Sequence, residues 1–424
     1  MKKVLSIILV LTTCILIAGS LVGCNSTTTS TSSAIATTST TTLQQKTILI
    51  GTDSPLTGGA APWGLAMEHG VQLAFADANS AGGLTIGNTQ YTFKVISLDD
   101  QYDTATTTNN LHQLVDTDGC QYIFTFQTEG TLALNAQLSS QKIIDFTVVM
   151  DNSVISQPTD AYTFRTGVPY SLQTTQYFEW IAQNYPNAKK MVLITVSGDN
   201  GDIILGATQK SCAAAGLTFQ DSVLYDSGTT DFTSFLTKLL AEKPDMINVA
   251  GAPSGDAAVI IKAARSMGYT GLFVESTTAA SDLLPIAGAT ALEGTLDTDL
   301  PMQAPYVSNT VLGLAAREVS KWGTAYGDTW DFYSQATTMF EAMQKANSID
   351  TTAVKNTLQD PNQQFSYPAI SGGVSTFDSS VAQIVYGNDA TNQILEPWVI
   401  CIIHNGLDEI QTVIEPPGAT NTTP

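Results

Sequence analysis

The sequence predicts an α/β protein built as two doubly wound lobes that are joined by crossover segments. Short apolar strands alternate with amphipathic helices from Thr47 to Val149, and after an interruption between Pro158 and Pro169 the same alternation restarts. Such alternation is typical of parallel sheets that carry helices on both faces. The last third of the chain begins with helices that have no strands of their own, so these helices have to pack on a sheet made earlier.

The first lobe begins with an apolar strand at 47–51 that ends at a glycine. The helix that follows has its apolar residues on one face and ends at a pair of glycines. These residues are Met67, Val71, Ala74 and Ala78, followed by Gly82 and Gly83. Further strands are predicted at 91–98, 121–126 and 143–149, with a helix between each pair.

The second lobe repeats this pattern, which makes the two lobes similar and Rossmann-like. Its strands are predicted at 190–196, 217–225, 245–250 and 272–275, and its helices at 201–215, 231–240 and 256–267. Three helices follow at 308–320, 330–346 and 351–359, and then strands at 381–386, 396–403 and 409–414. We infer that the chain returns to the first lobe with these helices and finishes on the second.

The domain boundaries follow from this path. The first lobe comprises 47–165 plus 297–372, the second lobe comprises 166–296 plus 373–414, and 415–424 form a flexible tail. The chain then passes between the lobes near Arg165, Asp297 and Gly373. Several such crossings create a hinge with a cleft between the lobes.

The N-terminus predicts export. A basic start, a short apolar run and small residues make residues 1–23 a signal peptide rather than a membrane span. The ending Leu-Val-Gly-Cys resembles the bacterial lipobox, which implies that Cys24 becomes the lipidated first residue of the mature protein; a chance cysteine after an unprocessed signal is the alternative. Ser and Thr fill 14 of the 17 positions in 26–42, so 24–46 is predicted to be a solvated tether or a glycosylated stalk. The expected location is extracytoplasmic, with the lipid as the only membrane anchor.

Composition excludes several classes of function. The net charge is −21, with 17 basic and 38 acidic residues, so no basic stripe is available for nucleic acid. Cys120, Cys212 and Cys401 are too widely spaced for a disulfide framework or a zinc site. The three histidines are scattered, and neither a nucleophile–base arrangement nor a phosphate loop nor a metal cluster can be found. We therefore expect no enzyme activity, no cofactor and no metal.

The loop SPLTGGAAPWG, residues 54–64, connects the first strand to the first helix. In parallel sheets, ligands bind beyond the carboxyl ends of the strands, where such loops lie. The loop's glycines let its backbone approach a ligand, and Ser54, at the start of the loop, is a predicted solute-binding residue. Trp63 either supplies a flat apolar wall to the site or covers the start of the helix as a packed side chain. The sequence leaves both interpretations open.

The stretch from Ile50 to Gly83, including Pro-Leu-Thr-Gly and Asn-x-x-Gly-Gly, resembles the opening of bacterial type I periplasmic solute-binding proteins of the branched-chain amino acid-binding kind. The resemblance covers nearly all of 47–405. It continues through Asp99-Asp100, Asp103, Phe164-Arg165-Thr166, Gly228, Asp231-Phe232, Lys243-Pro244-Asp245, Met267-Gly268 and Glu293-Gly294. It implies a monomeric two-lobed clamshell that captures a small solute and passes it to the permease subunits of an ABC transporter.

The resemblance also implies a set of solute-binding residues. Trp63 matches the family's aromatic wall, and Asn200 stands where the family often has a tyrosine before the glycine, here Gly201. Thr277 falls near the position that in the family often carries an acid for the amino group of the solute, with Glu275 two residues earlier. The loops after the fourth and fifth strands supply the remaining positions, which are Thr128, Glu129, Gly130, Val149, Met150 and Asp151.

Two acids depart from the family pattern, because Glu129 and Asp151 stand in loops that normally offer small or hydroxyl residues. If both face the cleft, they would repel a solute carboxylate and favour a cationic or strongly donating group. A simple branched-chain amino acid would then not be preferred. Alternatively, one or both acids cap the following helices and point away.

The sequence thus predicts an extracytoplasmic receptor for a small polar solute, an amino acid or a related compound. A ligand-sensing domain of a signalling system is the alternative, since it would use the same fold. A cell-surface enzyme is disfavoured by the missing catalytic arrangements. Fold alone does not decide between these functions.

Overall fold

A computed structural model of the chain describes residues 43–149, 151–155, 162–165, 170–299, 309–360, 363–367, 371–372, 375–376, 382–386, 392, 394–395 and 398–414. The predicted signal peptide, most of the predicted tether and the predicted tail lie outside the described residues. Cys24, Met150 and Gly373 do as well.

The first half of the chain forms a six-stranded sheet in the order β2-β3-β1-β4-β5-β6. Its strands are β1 (Gln44–Ser54), β2 (Leu84–Ile86), β3 (Thr89–Asp99), β4 (Tyr122–Thr125), β5 (Ile144–Thr147) and β6 (Thr163–Arg165). All pairs are parallel except β2 with β3. β1 begins at Gln44, which pairs with Thr89, so residues 44–46 belong to this strand and not to the tether to which we assigned them.

Three helices follow strands of this sheet. They are α1 (Ala61–Ser80), α2 (Thr104–His112), which continues as a π-helical turn (Gln113–Thr117), and α3 (Thr128–Ser140). A short 3-10 turn (Asn152–Ile155) follows β5. Asp103 caps α2 by accepting a hydrogen bond from the Thr106 N–H at 2.8 Å. Because α2 and α3 begin just beyond the carboxyl ends of β3 and β4, their N-termini lie at the edge where a site is expected.

The middle of the chain supplies five strands of a second sheet and six helices that alternate with them or flank them. They are α4 (Tyr170–Asn184), β7 (Lys190–Val196), α5 (Asp199–Ala215), β8 (Thr218–Tyr225), α6 (Thr233–Ala241), β9 (Met246–Asn248), α7 (Ser254–Ser266), β10 (Leu272–Val274), α8 (Ala280–Ala287), α9 (Ala289–Leu292) and β11 (Leu296–Asp297). These strands pair in parallel. Six of the elements described so far, β2, β6, β11, α4, α8 and α9, were not predicted from the sequence.

Three helices then return to the first sheet. They are α10 (Asn309–Trp322), α11 (Thr329–Ala346) and α12 (Thr351–Leu358). α11 packs closely on α1, since a Cβ at Gly70 would lie 2.5 Å from the Thr329 carbonyl oxygen. Phe332, Met339 and Val354 are buried in the same core as β1, β4 and β5.

The end of the chain completes the second sheet. Between α12 and this sheet lie β12 (Gln364–Tyr367), β13 (Ser371–Gly372), β14 (Ser375–Thr376), β15 (Ala382–Tyr386) and β16 (Ile394–Leu395), which form two small sheets. β17 (Trp398–His404) then pairs antiparallel with β11, and β18 (Leu407–Ile414) pairs with β17. The seven strands have the order β18-β17-β11-β10-β9-β7-β8.

The strand predicted at 381–386 therefore pairs with β12 instead of joining the large second sheet. Asn392, just beyond it, donates to the Thr163 carbonyl at 2.8 Å and so contacts the first sheet. We call the six-stranded sheet with α1–α3 and α10–α12 the first lobe, and the seven-stranded sheet with α4–α9 the second lobe. No helix in the described ranges has the length and apolar character that a membrane span requires.

Candidate functional site

The opening loop is fixed by hydrogen bonds to the end of β3. The Asp99 carboxylate accepts from the Leu56 N–H at 2.8 Å and from the Thr57 hydroxyl at 2.6 Å. Ser54 is fully buried, and its hydroxyl donates to the Gly64 carbonyl at 3.1 Å. The hydroxyl proton of this predicted solute-binding residue is thus used inside the loop, where it holds the start of α1.

Trp63 lies between the two lobes. Its indole stacks on Phe126 with ring centroids 5.8 Å apart, and Tyr102 lies at 6.2 Å. Its Nε1–H donates to the Thr277 carbonyl and to the Thr278 hydroxyl, both at 3.0 Å in the second lobe. Only 5% of Trp63 is exposed. The side chain is therefore packed, as one interpretation of the sequence expected, but in the contact between the lobes and not inside one of them.

The first turn of α3 contains Thr128, Glu129 and Gly130 and lies just beyond the carboxyl end of β4. Gln127 caps the helix by accepting from the Gly130 N–H at 2.6 Å. A Cβ at Gly130 would lie 2.5 Å from Thr107, so this glycine lets α2 and α3 approach each other. Glu129 reaches across the lobes, where its Oε1 accepts from the Asp199 N–H at 3.0 Å. Its other oxygen is hydrogen-bonded to the Gln127 amide.

The second lobe contributes Asn200 and Thr277 to this region. Asn200, in the first turn of α5, lies close to the hydroxyl of Tyr102. The Thr277 hydroxyl donates to the buried Glu275 carboxylate at 2.6 Å, and the N–H groups of Thr277 and Thr278 donate to the same carboxylate. Burial raises the pKa of Glu275 to about 7, although these hydrogen bonds oppose the shift. Glu275 thus holds the loop that meets Trp63.

Val149 and Asp151 lie beside Arg165. The Val149 carbonyl accepts from the Arg165 guanidinium at 3.2 Å, and the charge of Asp151 raises the pKa of Arg165 against the larger, lowering effect of burial. Asp151 therefore has a cation of the protein close by. Met150 lies outside the described residues.

Several residues of this region were missed by sequence reasoning. Tyr102 and Phe126 pack around Trp63, and Tyr225 donates to Asp256 at 3.0 Å in the second lobe. The Gly255 N–H donates to the Gly59 carbonyl at 3.2 Å across the lobes. Phe126 is the last residue of a predicted strand and Tyr102 stands four positions after another, and these positions were the available signal.

Buried carboxyl groups at the strand ends give the first lobe a pH dependence. Burial chiefly, together with the charge of Asp100, raises the pKa of Asp53 to about 8. Burial likewise raises the pKa of Asp145 and of Asp100 to about 7. A folded-state pKa above the unfolded value means that the folded protein binds more protons. The stabilisation that this extra proton binding gives the folded protein is fully present below about pH 4 and is lost as the pH rises towards 8.

We expect the free energy of unfolding to fall by about 1–2 kcal/mol or more between pH 5 and pH 8.5. Asp53→Asn should reduce this fall because asparagine does not titrate, whereas Asp202→Asn, at an exposed position, should leave it unchanged. Urea unfolding of the three proteins at several pH values measures the effect. A stability that rises over this range would contradict the assignment.

Among the described residues, no group of three or more His, Cys, Asp or Glu side chains is arranged to hold a metal ion. The interlobe region contains one indole, its aromatic neighbours, backbone groups, hydroxyls, the Asn200 amide and the Glu129 carboxylate. Such a surface can enclose a small organic molecule by packing and hydrogen bonding.

Comparison with known proteins places the chain among solute-binding proteins. The sequence profile of the family described as "Periplasmic binding protein" matches residues 47–383. "Leu/Ile/Val-binding protein homolog 2" of Brucella abortus is 24% identical over 319 residues, which are 74% of this chain and 82% of the relative.

Solved structures share the fold. The branched-chain amino acid ABC transporter protein from Thermus thermophilus with bound valine has a TM-score of 0.76 at 20% identity, and the match covers 88% of this chain and 98% of that protein. The substrate binding protein LivJ from Streptococcus pneumoniae in complex with isoleucine has a TM-score of 0.70 at 20% identity, covering 87% and 99%. Both agree with the architecture of two α/β lobes.

Proposed function

The chain belongs to the periplasmic binding protein family, and from this premise we propose that it captures a small polar solute between its two lobes and delivers it to the permease of an ABC transporter. It is a binding protein and not an enzyme, and its family is extracytoplasmic. The solute we propose is an amino acid or a related compound, because the relative from Brucella abortus is named for leucine, isoleucine and valine and the two solved structures hold valine and isoleucine.

The observation that carries this proposal is the position of Trp63. The side chain is attached to the first lobe by its packing on Phe126, and it donates two hydrogen bonds to the second lobe. This conformation, in which the lobes are in contact, is the closed form of the protein. The lobes open and close about the crossover segments near Arg165 and Asp297. A solute that contacts both lobes stabilises the closed state through these additional contacts.

The charge of the solute is a separate question. Glu129 is hydrogen-bonded by Asp199 N–H and Gln127, and Asp151 lies beside Arg165, so protein groups meet both acids. The preference for a cationic solute stays a prediction, and these contacts weaken the argument for it. Neutral and zwitterionic amino acids therefore belong in the same test as cationic ones.

We expect at least one amino acid or amino acid derivative to raise the midpoint of thermal unfolding. A solute present at about 100 times its Kd adds about 2.7 kcal/mol to the stability of the folded protein. Thermal unfolding with branched-chain, aromatic and basic amino acids, their amides and polyamines identifies it, and calorimetric titration gives the affinity. If every compound of this panel leaves the midpoint unchanged, the proposed solute class is wrong.

We also propose that Cys24 carries the lipid that attaches the protein to the membrane, with 24–43 as its tether. The lipobox-like sequence before Cys24 and the Ser/Thr-rich stretch after it support this assignment. Mass spectrometry of the N-terminal peptide from the host bacterium tests it, and an unmodified Cys24 would contradict it.

A further inference from the structure

The N-terminus of α5 lacks a capping side chain of its own. Gly198 occupies the N-cap position, and as a glycine it has no side chain to accept a hydrogen bond from the helix. The first N–H groups of a helix have no acceptor within the helix. The Asp199 N–H, the first of these groups, donates to Glu129 of the other lobe. A carboxylate at a helix N-terminus is also favoured by the helix dipole. The acceptor that this helix needs is thus supplied from across the lobe contact.

Two further features hold Glu129 in this position. Its second oxygen is hydrogen-bonded to Gln127, the residue that caps α3, so the carboxylate is directed towards α5. A Cβ at position 198 would lie 2.8 Å from the Glu129 Oε1, so the glycine leaves the space that the carboxylate occupies. The fit between the two lobes at this point therefore depends on both residues.

We propose that Glu129 is a positioning residue that caps α5 only when the lobes are closed, and that it thereby sets the equilibrium between open and closed forms. When the lobes separate, the Asp199 N–H and the carboxylate return to water. The contact thus stabilises the closed form with or without solute. Its effect on solute affinity rests on the proposed function, whereas its effect on closure does not.

This role differs from direct contact with a solute in a measurable way. A residue that acts on closure alone changes the affinity for every solute by one common factor, because it alters the population of the binding-competent form. A residue that contacts the solute changes the affinity for different solutes by different factors and leaves the conformation of the free protein unchanged. Glu129 is half-buried, so we expect its removal to weaken binding about 5- to 10-fold.

A double-mutant cycle isolates the contact. Glu129→Ala removes the acceptor, and Asp199→Pro removes the donor while a proline remains compatible with the first position of a helix. Gly198 has φ +114° and ψ −177°, so its ψ lies outside the helical region that a following proline disfavours. Asp199→Ala is the matched control, since it removes the same carboxylate and keeps the N–H. We expect the two single variants and the double variant to show the same loss, and Asp199→Ala to bind like the parent protein.

Closure itself is measured without any solute. Cysteines at the exposed positions Ser140 of α3 and Lys210 of α5 carry spin labels, while native Cys120, Cys212 and Cys401 are buried. We expect Glu129→Ala to shift the interlobe distances of the free protein to larger values, and Glu179→Ala, at an exposed position of α4, to leave them unchanged. Unchanged distances in Glu129→Ala, or losses of affinity that differ between solutes, would overturn the proposal. If no solute is found, the distances alone decide it.

Discussion

Replacing Trp63 by alanine is expected to weaken solute binding about 100-fold. The indole is 95% removed from solvent, and alanine would abolish both its hydrogen bonds to the second lobe and its stacking on Phe126. Truncation of a buried tryptophan in the centre of a contact commonly costs 2 kcal/mol or more, and about 2.7 kcal/mol corresponds to 100-fold. Calorimetric titration with the solute found in the thermal panel measures the loss.

Two variants test the reason for this loss. Trp63→Phe keeps an aromatic ring while it removes the N–H donor and part of the ring surface, so we expect a smaller loss, about 5-fold. Trp180→Ala removes a tryptophan that packs against Tyr185 within the second lobe, and the affinity should stay within about twofold of the parent. If Trp63→Ala binds as tightly as the parent, the indole is not part of the closed contact that we describe.

Gly64→Ala is expected to destabilise the protein by about 3 kcal/mol. A Cβ at this position would lie 1.9 Å from the Pro55 carbonyl oxygen and 2.8 Å from the Pro55 nitrogen. Neither atom can move away without displacing the opening loop, which Asp99 holds at Leu56 and Thr57. Overpacking against fixed atoms costs in this range. The midpoint of urea unfolding, at an unchanged slope, measures the change.

Gly206→Ala is the matched control because it makes the same substitution inside a helix without a close neighbour. Gly206 lies in α5, and a Cβ there would have no atom within 4 Å. Alanine is favoured over glycine in a helix, so this variant should gain about 0.5–1 kcal/mol. If glycine were required at both positions only for backbone flexibility, Gly64→Ala and Gly206→Ala would both destabilise the protein. That result would contradict the explanation by a steric clash at Gly64.

Much of the fold could be predicted because each lobe repeats a regular pattern of apolar residues. The strand predicted at 190–196 is β7 with the same bounds, and the helices predicted at 330–346 and 351–359 correspond to α11 and α12. Such segments are determined by local periodicity, which is visible in one sequence. α4 was missed although Thr174, Tyr177, Phe178 and Ile181 have helical spacing, since Gln173, Thr175 and Gln176 around them obscure the apolar pattern. α8 contains Pro285, which obscured its pattern.

The candidate site could be predicted only in part. The strand-end rule led to the loop that carries Trp63, and the family resemblance led to the loop that carries Glu129. The partners of these residues could not be derived, since the Trp63–Thr277 and Glu129–Asp199 contacts join segments 214 and 70 positions apart. A carboxylate at such a position can cap its own helix, contact a solute or cap a helix of the other lobe. The relative position of the two lobes decides between these roles, and local sequence patterns do not determine that position.

The packing of α11 on α1 has a consequence for biosynthesis. About 250 residues separate the end of α1 from the start of α11, and at roughly 5–20 residues per second their synthesis takes about 12–50 s. Throughout that interval the nascent chain displays the α1 surface around Gly70 without its final cover. Until the late helices arrive, this surface is exposed in the nascent chain and can aggregate with other apolar surfaces.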